Sequence, residues 1–68
     1  MFKAYCKHPV FGEAPPVALE TVEEVLRYTQ LQRHFSPEIT VVDEMDVTVV
    51  EVKNHKYVFP EEWQVLNK

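Results

Sequence analysis

The stretch from residue 38 to residue 60 constrains the fold of this chain more than any other. It runs EITVVDEMDVTVVEVKNHKYVFP and holds most of the β-branched residues of the chain. Two candidate turns interrupt it, at residues 43–46 and at residues 54–55. Asn tolerates the positive φ of a two-residue hairpin turn, whereas His does so less readily than Gly. The stretch predicts a three-stranded antiparallel meander, with strands at about residues 38–43, 47–53 and 56–60.

The two turns define a register whose consistency can be checked. The second turn predicts the pairs Lys53–Lys56, Val52–Tyr57 and Val50–Phe59. The first turn predicts the pairs Val42–Val47, Val41–Thr48 and Ile39–Val50. Because side chains alternate between the faces of a sheet, both turns predict one shared apolar face. Its members are Ile39, Val41, Thr48, Val50, Val52, Tyr57 and Phe59, and we expect the helix of the chain to pack on them.

The opposite face of the predicted meander is also rich in valine. It would carry Thr40, Val42, Val47, Val49, Glu51, Lys53, Lys56 and Val58. Surplus apolar surface indicates a site of association, because a solvated sheet face is usually polar. We therefore expect this face to be covered by the tail around Trp63, by another copy of the chain or by a partner. The candidate interaction surface consists of Val42, Val47, Val49, Val58 and Trp63.

The first third of the chain predicts a strand followed by a loop. Residues 2–7 alternate apolar residues with lysines, which is typical of a strand at the edge of a sheet. Residues 8–19 hold three prolines and the glycine of the chain, which predicts a loop. Val10 and Phe11 lie in this loop, and we expect them to plug the end of the core. The alternative is that the loop presents them to a partner.

Thr21 marks the start of a predicted helix over about residues 22–34. Thr21 and Glu24 have the spacing of a capping box, and the helix should end before Pro37. Its apolar arc is wider than one sheet face can cover, so the N-terminal arm or a second subunit should cover the rest. Residues 61–68 form a tail with a short terminal helix or turn. The predicted fold is a single small α+β domain of β-α-β-β-β order, with one helix on a mostly antiparallel sheet.

Composition narrows the classes of function. The chain of 68 residues has a formal net charge of -4, from 11 acidic and 7 basic residues, which disfavours binding to nucleic-acid phosphates. Cys6 is the single cysteine, so an internal disulfide is excluded and a reducing compartment is favoured. The chain carries no predicted signal peptide and no apolar run long enough to span a membrane. We expect a cytoplasmic protein that does not bind membranes.

No group of residues predicts catalysis or a cofactor. Cys6 and His8 have the spacing C-x-H, but a zinc site needs further ligands, and a nucleophile pair needs an orienting third group. We expect a buried thiol and a surface imidazole instead. The acidic run at residues 43–46 resembles a solvated turn more than a calcium loop, which needs more ligands and usually a glycine. One glycine is too few for a phosphate-binding loop, and no motif identifies a family.

Two hypotheses of function follow from these patterns. The first is a small non-enzymatic interaction or assembly module, a homodimer or a binder of another protein, that uses apolar sheet surface. The alternative is a small nucleic-acid-associated regulator that uses the hairpin tip as a secondary surface. That tip consists of Lys53, Asn54, His55 and Lys56, which form one of two weak basic clusters.

Overall fold

The structure, a computed structural model, describes residues 1–8, 10, 12–13 and 15–67, with only the backbone of Glu13. The described residues form six strands, one α-helix and one 3-10 helix. In chain order these are β1 (Phe2–His8), β2 (Gly12–Glu13), β3 (Val17–Leu19), α1 (Val22–Gln32), β4 (Glu38–Val42), β5 (Thr48–Lys53), β6 (Lys56–Phe59) and the 3-10 helix (Glu61–Leu66). The predicted α+β class, with one helix on an antiparallel sheet, is confirmed.

Strand β1 lies inside the sheet and not at its edge. It pairs antiparallel with β4, where Tyr5 is opposite Thr40 and Lys7 is opposite Glu38. Its other side pairs with β2 and with β3, which lie end to end along it. The sheet order is therefore β2 and β3, then β1, β4, β5 and β6. The prediction that the first strand lies at an edge is wrong, because the segment expected to be a loop supplies the outermost strands.

The segment at residues 8–19 thus contains both short strands, although its prolines predicted a loop. Pro15 and Pro16 do not interrupt these strands, because they lie between β2 and β3 and belong to neither. Val10 does not plug the core, since 78% of its surface is exposed. Phe11, the other predicted plug, lies outside the described residues.

The predicted meander is present, and its turn at Asn54 and His55 is confirmed. Both residues have positive φ, 54° and 67°, as a two-residue hairpin turn requires. The pairs Lys53–Lys56 and Val52–Tyr57 are also confirmed. The other predicted pairs are wrong, because the first turn is one residue longer than predicted and because β4–β5 and β5–β6 each contain a bulge. The observed pairs are Ile39–Val52, Val41–Val50, Val42–Thr48 and Glu51–Phe59.

The bulges change which residues reach the core. A bulge places two residues of one strand opposite one residue of its neighbour, so the alternation of faces is interrupted. Phe59 is consequently paired with Glu51 on the side away from the helix, and it is 47% exposed. Thr48 is exposed as well. Five predicted face residues do form the core, namely Ile39, Val41, Val50, Val52 and Tyr57, each at most 2% exposed.

Helix α1 begins with the predicted cap. The N–H of Glu24 donates to the hydroxyl of Thr21 at 3.1 Å, which satisfies one unpaired donor of the first turn. The carboxylate of Glu24 accepts from the N–H of Glu20 at 3.0 Å, one residue earlier than a standard capping box would place it. The helix ends at Gln32, two residues before the predicted end, and Arg33 caps it. Val25 and Thr29 are its buried residues.

The tail forms the 3-10 helix, which lies against the outer edge of β6. The side chain of Asn67 accepts from the N–H of Tyr57 at 2.6 Å and donates to its carbonyl oxygen at 3.0 Å. Gln64 donates to the carbonyl oxygen of Val58 at 3.0 Å. These side chains occupy the backbone groups that another strand would use, so this edge of the sheet is protected from further pairing.

Candidate interaction surface

The sheet face turned away from α1, here called the outer face, has no described element packed on it. Three rows of paired residues cross it. The middle row contains Tyr5, Thr40, Glu51 and Phe59. On one side of it Lys7 pairs with Glu38, and on the other Lys3 pairs with Val42, which pairs with Thr48. The face therefore exposes two aromatic rings among β-branched and charged side chains.

A shallow groove of about 440 Å³ runs across this face. Its floor includes Thr40 and Val42 of the central strand β4, and Tyr5 forms part of its wall. Tyr5 is 42% exposed, whereas Val42 is buried among its neighbours. The groove lies within the size range of about 300–1,000 Å³ that is usual for binding sites.

Charges of both signs surround the groove. Lys53 lies 3.3 Å from the carboxylate of Glu51, and Lys7 and Glu38 are opposite each other on neighbouring strands. The Lys53–Glu51 pair is largely exposed to solvent, so it contributes little to stability. Its effect is to keep the face nearly neutral, which removes the repulsion that a face of one sign would meet on approaching a like surface.

The structure does not bring the predicted interaction residues together. Val42 lies on the outer face, and Val47 lies in the turn before β5 and is exposed. Val49 and Trp63 lie on the other side of the sheet, where both border a groove next to α1. Val58 is exposed within the bulged part of β6. Their role in association stays a prediction.

Val49 changes sides because of the bulge in β5. Val49 and its neighbour Val50 both line the groove beside α1, whereas regular alternation would place them on opposite faces. Trp63 packs edge-on against the ring of Tyr57, with ring centroids 5.5 Å apart. Such a pair contributes about 0.5–1.5 kcal/mol beyond the burial of the rings, so Trp63 helps to hold the tail on the core.

The hairpin tip, the predicted secondary surface, is tied to the rest of the fold. The ring of His55 donates through Nδ1 to the carbonyl oxygen of Arg33, and its backbone N–H donates to Pro37 at 3.2 Å. Lys53 faces Glu51, while Lys56 and Asn54 are exposed. The tip thus packs on the end of α1. The imidazole of His55 and the ammonium of Lys53 both interact with groups of the protein itself.

Arg33 and Asn67 connect the helix, the hairpin tip and the tail, and neither was predicted to do so. The guanidinium of Arg33 donates to the carbonyl oxygens of His55 at 2.9 Å and Leu66 at 2.8 Å. It also lies 5.2 Å above the ring of Tyr57. A basic residue after a helix usually indicates a dipole effect, so no sequence signal distinguishes this long-range role.

Tyr5 and Thr40 were also not predicted as site residues. Both lie in strands that sequence alternation identified, and Thr40 was assigned to the correct face. Tyr5 would have been found only with the pairing of β1 and β4, which places it beside Thr40. That pairing joins residues far apart in the chain, so local sequence patterns do not predict it.

Cys6 is buried, as predicted, and its Sγ lies 3.3 Å from the hydroxyl of Tyr28. Burial raises the pKa of the Tyr28 hydroxyl, and the neighbouring thiol raises it further. His8 accepts at Nδ1 from the N–H of Val10 at 3.0 Å. In the acidic turn the carboxylate of Asp43 accepts from Met45 at 2.8 Å and Val47 at 3.0 Å, so it organises the turn.

Within the part of the chain that the structure describes, no three His, Cys, Asp or Glu side chains are grouped so that they could hold a metal ion. No helix among those residues has the length and apolar character that crossing a membrane requires. Comparison of the chain with protein-family models, with curated proteins and with solved structures finds no match.

Proposed function

We propose that the protein is a small non-enzymatic interaction module that forms a homodimer through the outer face of its sheet. The observation that supports this proposal is the groove on the outer face, which Tyr5 lines, together with the exposed ring of Phe59 on the same face, where no described element packs. Domains usually bury an apolar sheet face against another element. In this chain, a second copy supplies that element.

The geometry of the outer face suits packing against its own copy. Two sheets pack about 10 Å apart, with strand directions within about 30° of each other. The central side chains, Tyr5 and Thr40, are small or flat enough for such an approach. The charged residues comprise both signs, with Lys3, Lys7 and Lys53 against Glu38 and Glu51. Facing copies therefore meet a nearly neutral surface.

The same proposal places the protein in the cytoplasm. Its support is the single thiol of Cys6, which is buried beside Tyr28 and has no second cysteine to pair with. Free buried cysteines are usual in reducing compartments.

Sedimentation equilibrium of the wild type and of Thr40→Arg tests the dimer. Thr40 lies at the centre of the outer face, so an arginine there, even with Glu51 opposite it, would be too bulky for the close approach of two sheets if the faces met. We expect a dimer for the wild type at micromolar concentrations and a monomer for the variant, with unchanged far-UV circular dichroism.

Leu31→Arg is the matched control. Leu31 is 62% exposed on α1, on the other side of the sheet, so this variant should remain dimeric. A wild type that is monomeric up to millimolar concentration would refute the proposal. Dissociation by Leu31→Arg but not by Thr40→Arg would also refute it and would place the contact on the helix.

A further inference from the structure

A second groove lies on the helix side of the sheet, and its surroundings indicate what it binds. It is formed by Phe2, Val22, Val25, Val49 and Trp63, with Glu62 beside them, and its volume is about 350 Å³. We call it the helix-side groove. Val22 is 58% exposed, so its side chain is available to a ligand although it belongs to the apolar arc of α1. The groove is at the small end of the range for binding sites, about 300–1,000 Å³.

The topology gathers acidic residues at the end of the molecule that contains this groove. This end is where β1, α1 and β5 begin and where β4 and β6 finish. We call it the acidic end. The segments there carry eight of the 11 acidic residues: Glu20, Glu23, Glu24, Asp43, Glu44, Asp46, Glu61 and Glu62. The positive described groups at or near this end are the amino group of Met1, which pairs with Glu44 at 2.9 Å, Lys3 on the outer face, and Arg27, one turn along α1 from Glu23.

Basic residues concentrate at the opposite end of the sheet. Lys7, Arg33, Lys53 and Lys56 lie there, together with the three histidines. The net charge of -4 therefore understates the negative potential near the helix-side groove, because the two ends differ in sign. A cleft with low-dielectric walls and charge of one sign attracts ligands of the other sign.

We propose that the helix-side groove binds a peptide segment in which an apolar side chain is flanked by lysine or arginine. The apolar side chain would enter between Val22 and Trp63, and the flanking cations would face Glu62 and the carboxylates of the first turn of α1. The groove is too small for a folded domain to enter, and its surroundings would repel an acidic segment. This site is distinct from the outer face, so either proposal can fail without the other.

Trp63 provides a direct readout, because it is the single tryptophan of the chain and lines the groove. The probe is a short peptide with a central Leu-Phe pair between lysines, acetylated and amidated at its ends. We expect it to change the fluorescence of Trp63 in a saturable way. Raising the salt from about 0.05 M to about 0.5 M should weaken binding, because the screening length falls from over 10 Å to about 4 Å.

Two variants test the apolar contact and the charge interaction of the proposed site separately. Val22→Ser removes an apolar wall and should weaken binding about three- to tenfold, the effect of losing part of a buried valine contact. Glu62→Lys reverses a charge beside the groove and should weaken it about two- to fivefold, as expected for an exposed ion pair. Val65→Ser and Glu38→Lys are the matched controls, since Val65 does not line the groove and Glu38 lies at the basic end. Both controls should bind like the wild type.

Three results would overturn the proposal. The first is no change in Trp63 fluorescence, and no shift of its indole NMR signal, at millimolar peptide. The second is equal binding of a peptide in which glutamate replaces lysine, which would mean that charge does not select the ligand. The third is loss of self-association on Val22→Ser, which would show that a second copy occupies the groove.

Discussion

The inner and outer faces of the sheet both carry apolar residues, but the two faces lie in different environments. Ile39 and Val41 on the inner face are at most 1% exposed, under α1. Their neighbours Thr40 and Val42 on the outer face border an open groove. The outer side of the same strand also carries Glu38, and Val42 is already buried among its neighbours there. Among the described residues, α1 covers the inner face and no element packs on the outer face, so the outer face is the one that remains open.

The bulges sharpen this contrast between the faces. They turn Val49 toward the helix and Phe59 away from it, which exchanges one apolar side chain for another between the two faces. The inner face gains a wall for the helix-side groove, and the outer face gains an aromatic ring. The bulges thus change which side chains each face presents, beyond what the alternation of side chains predicts.

Replacing the central inner residue should have the largest effect. Ile39→Ala should lower the free energy of unfolding by about 2–5 kcal/mol, since it removes buried methylene groups and leaves a cavity in the core. A loss of this size is a large fraction of the stability of a typical domain, which is about 5–15 kcal/mol. Urea denaturation followed by circular dichroism measures it.

Thr40→Ala, one residue along the same strand, is the control on the outer face. In protein diluted until it is monomeric, we expect its free energy of unfolding to stay within about 0.5 kcal/mol of the wild type, as for positions outside the core. Comparable losses for Ile39→Ala and Thr40→Ala would contradict the distinction between the faces.

Sequence patterns were sufficient to predict the helix, its cap at Thr21, the meander and most of its inner face. These features depend on residues close together in the chain, such as the turn at Asn54 and His55. They follow from local conformational preferences and from the period of apolar residues. The register of the first hairpin and of the far end of the second was not predictable, because a longer turn or a bulge adds one residue without altering the apolar pattern.

Contacts between distant segments account for the remaining errors. The strands in residues 8–19 form because one edge of β1 is free to pair with them. The prolines of this segment predicted a loop instead. The links from Arg33 and Asn67 to the hairpin and the tail also require the complete fold. The predicted interaction residues were dispersed for the same reason, since Val49 and Trp63 joined the groove beside α1.

The buried hydroxyl pair on the inner face predicts the next largest effect. Thr29 has one hydroxyl hydrogen and donates it to the carbonyl oxygen of Val25 at 2.8 Å, so it accepts from the hydroxyl of Tyr57, also at 2.8 Å. Thr29→Val would leave the Tyr57 hydroxyl buried without an acceptor and should cost about 1–3 kcal/mol. Urea denaturation gives the free energy of unfolding.

Tyr57→Phe breaks the same hydrogen bond from the other side. Thr29 would keep its bond to Val25, so the cost should be only about 0.5–1.5 kcal/mol. A larger loss for Tyr57→Phe than for Thr29→Val would show that the hydroxyl of Tyr57 is not the donor. Together the two variants test whether the polar contact between α1 and β6 is as closely fitted as the apolar contacts around it.

Alkaline pH should gradually lower the free energy of unfolding, through two tyrosines on the helix side of the sheet. Burial raises the pKa of Tyr57 above its ordinary value of 10.0, although a hydrogen bond that Thr29 can donate to the phenolate and the charge of Arg33 lower it. Burial also raises the pKa of Tyr28. Below pH 10 both tyrosines are neutral in the folded and the unfolded chain. Above pH 10 the unfolded chain releases these protons first, so stability is lost as the pH rises, by at most about 1.4 kcal/mol per pH unit for each tyrosine.

Urea denaturation between about pH 9 and about pH 11 measures this slope, and Tyr57→Phe isolates the share of one tyrosine. We expect the variant to be less stable than the wild type at pH 9 and to lose stability less steeply above pH 10, since phenylalanine has no proton to release. Equal slopes for wild type and Tyr57→Phe would mean that the Tyr57 hydroxyl reaches solvent, and the inner face would then be less closed than its packing indicates.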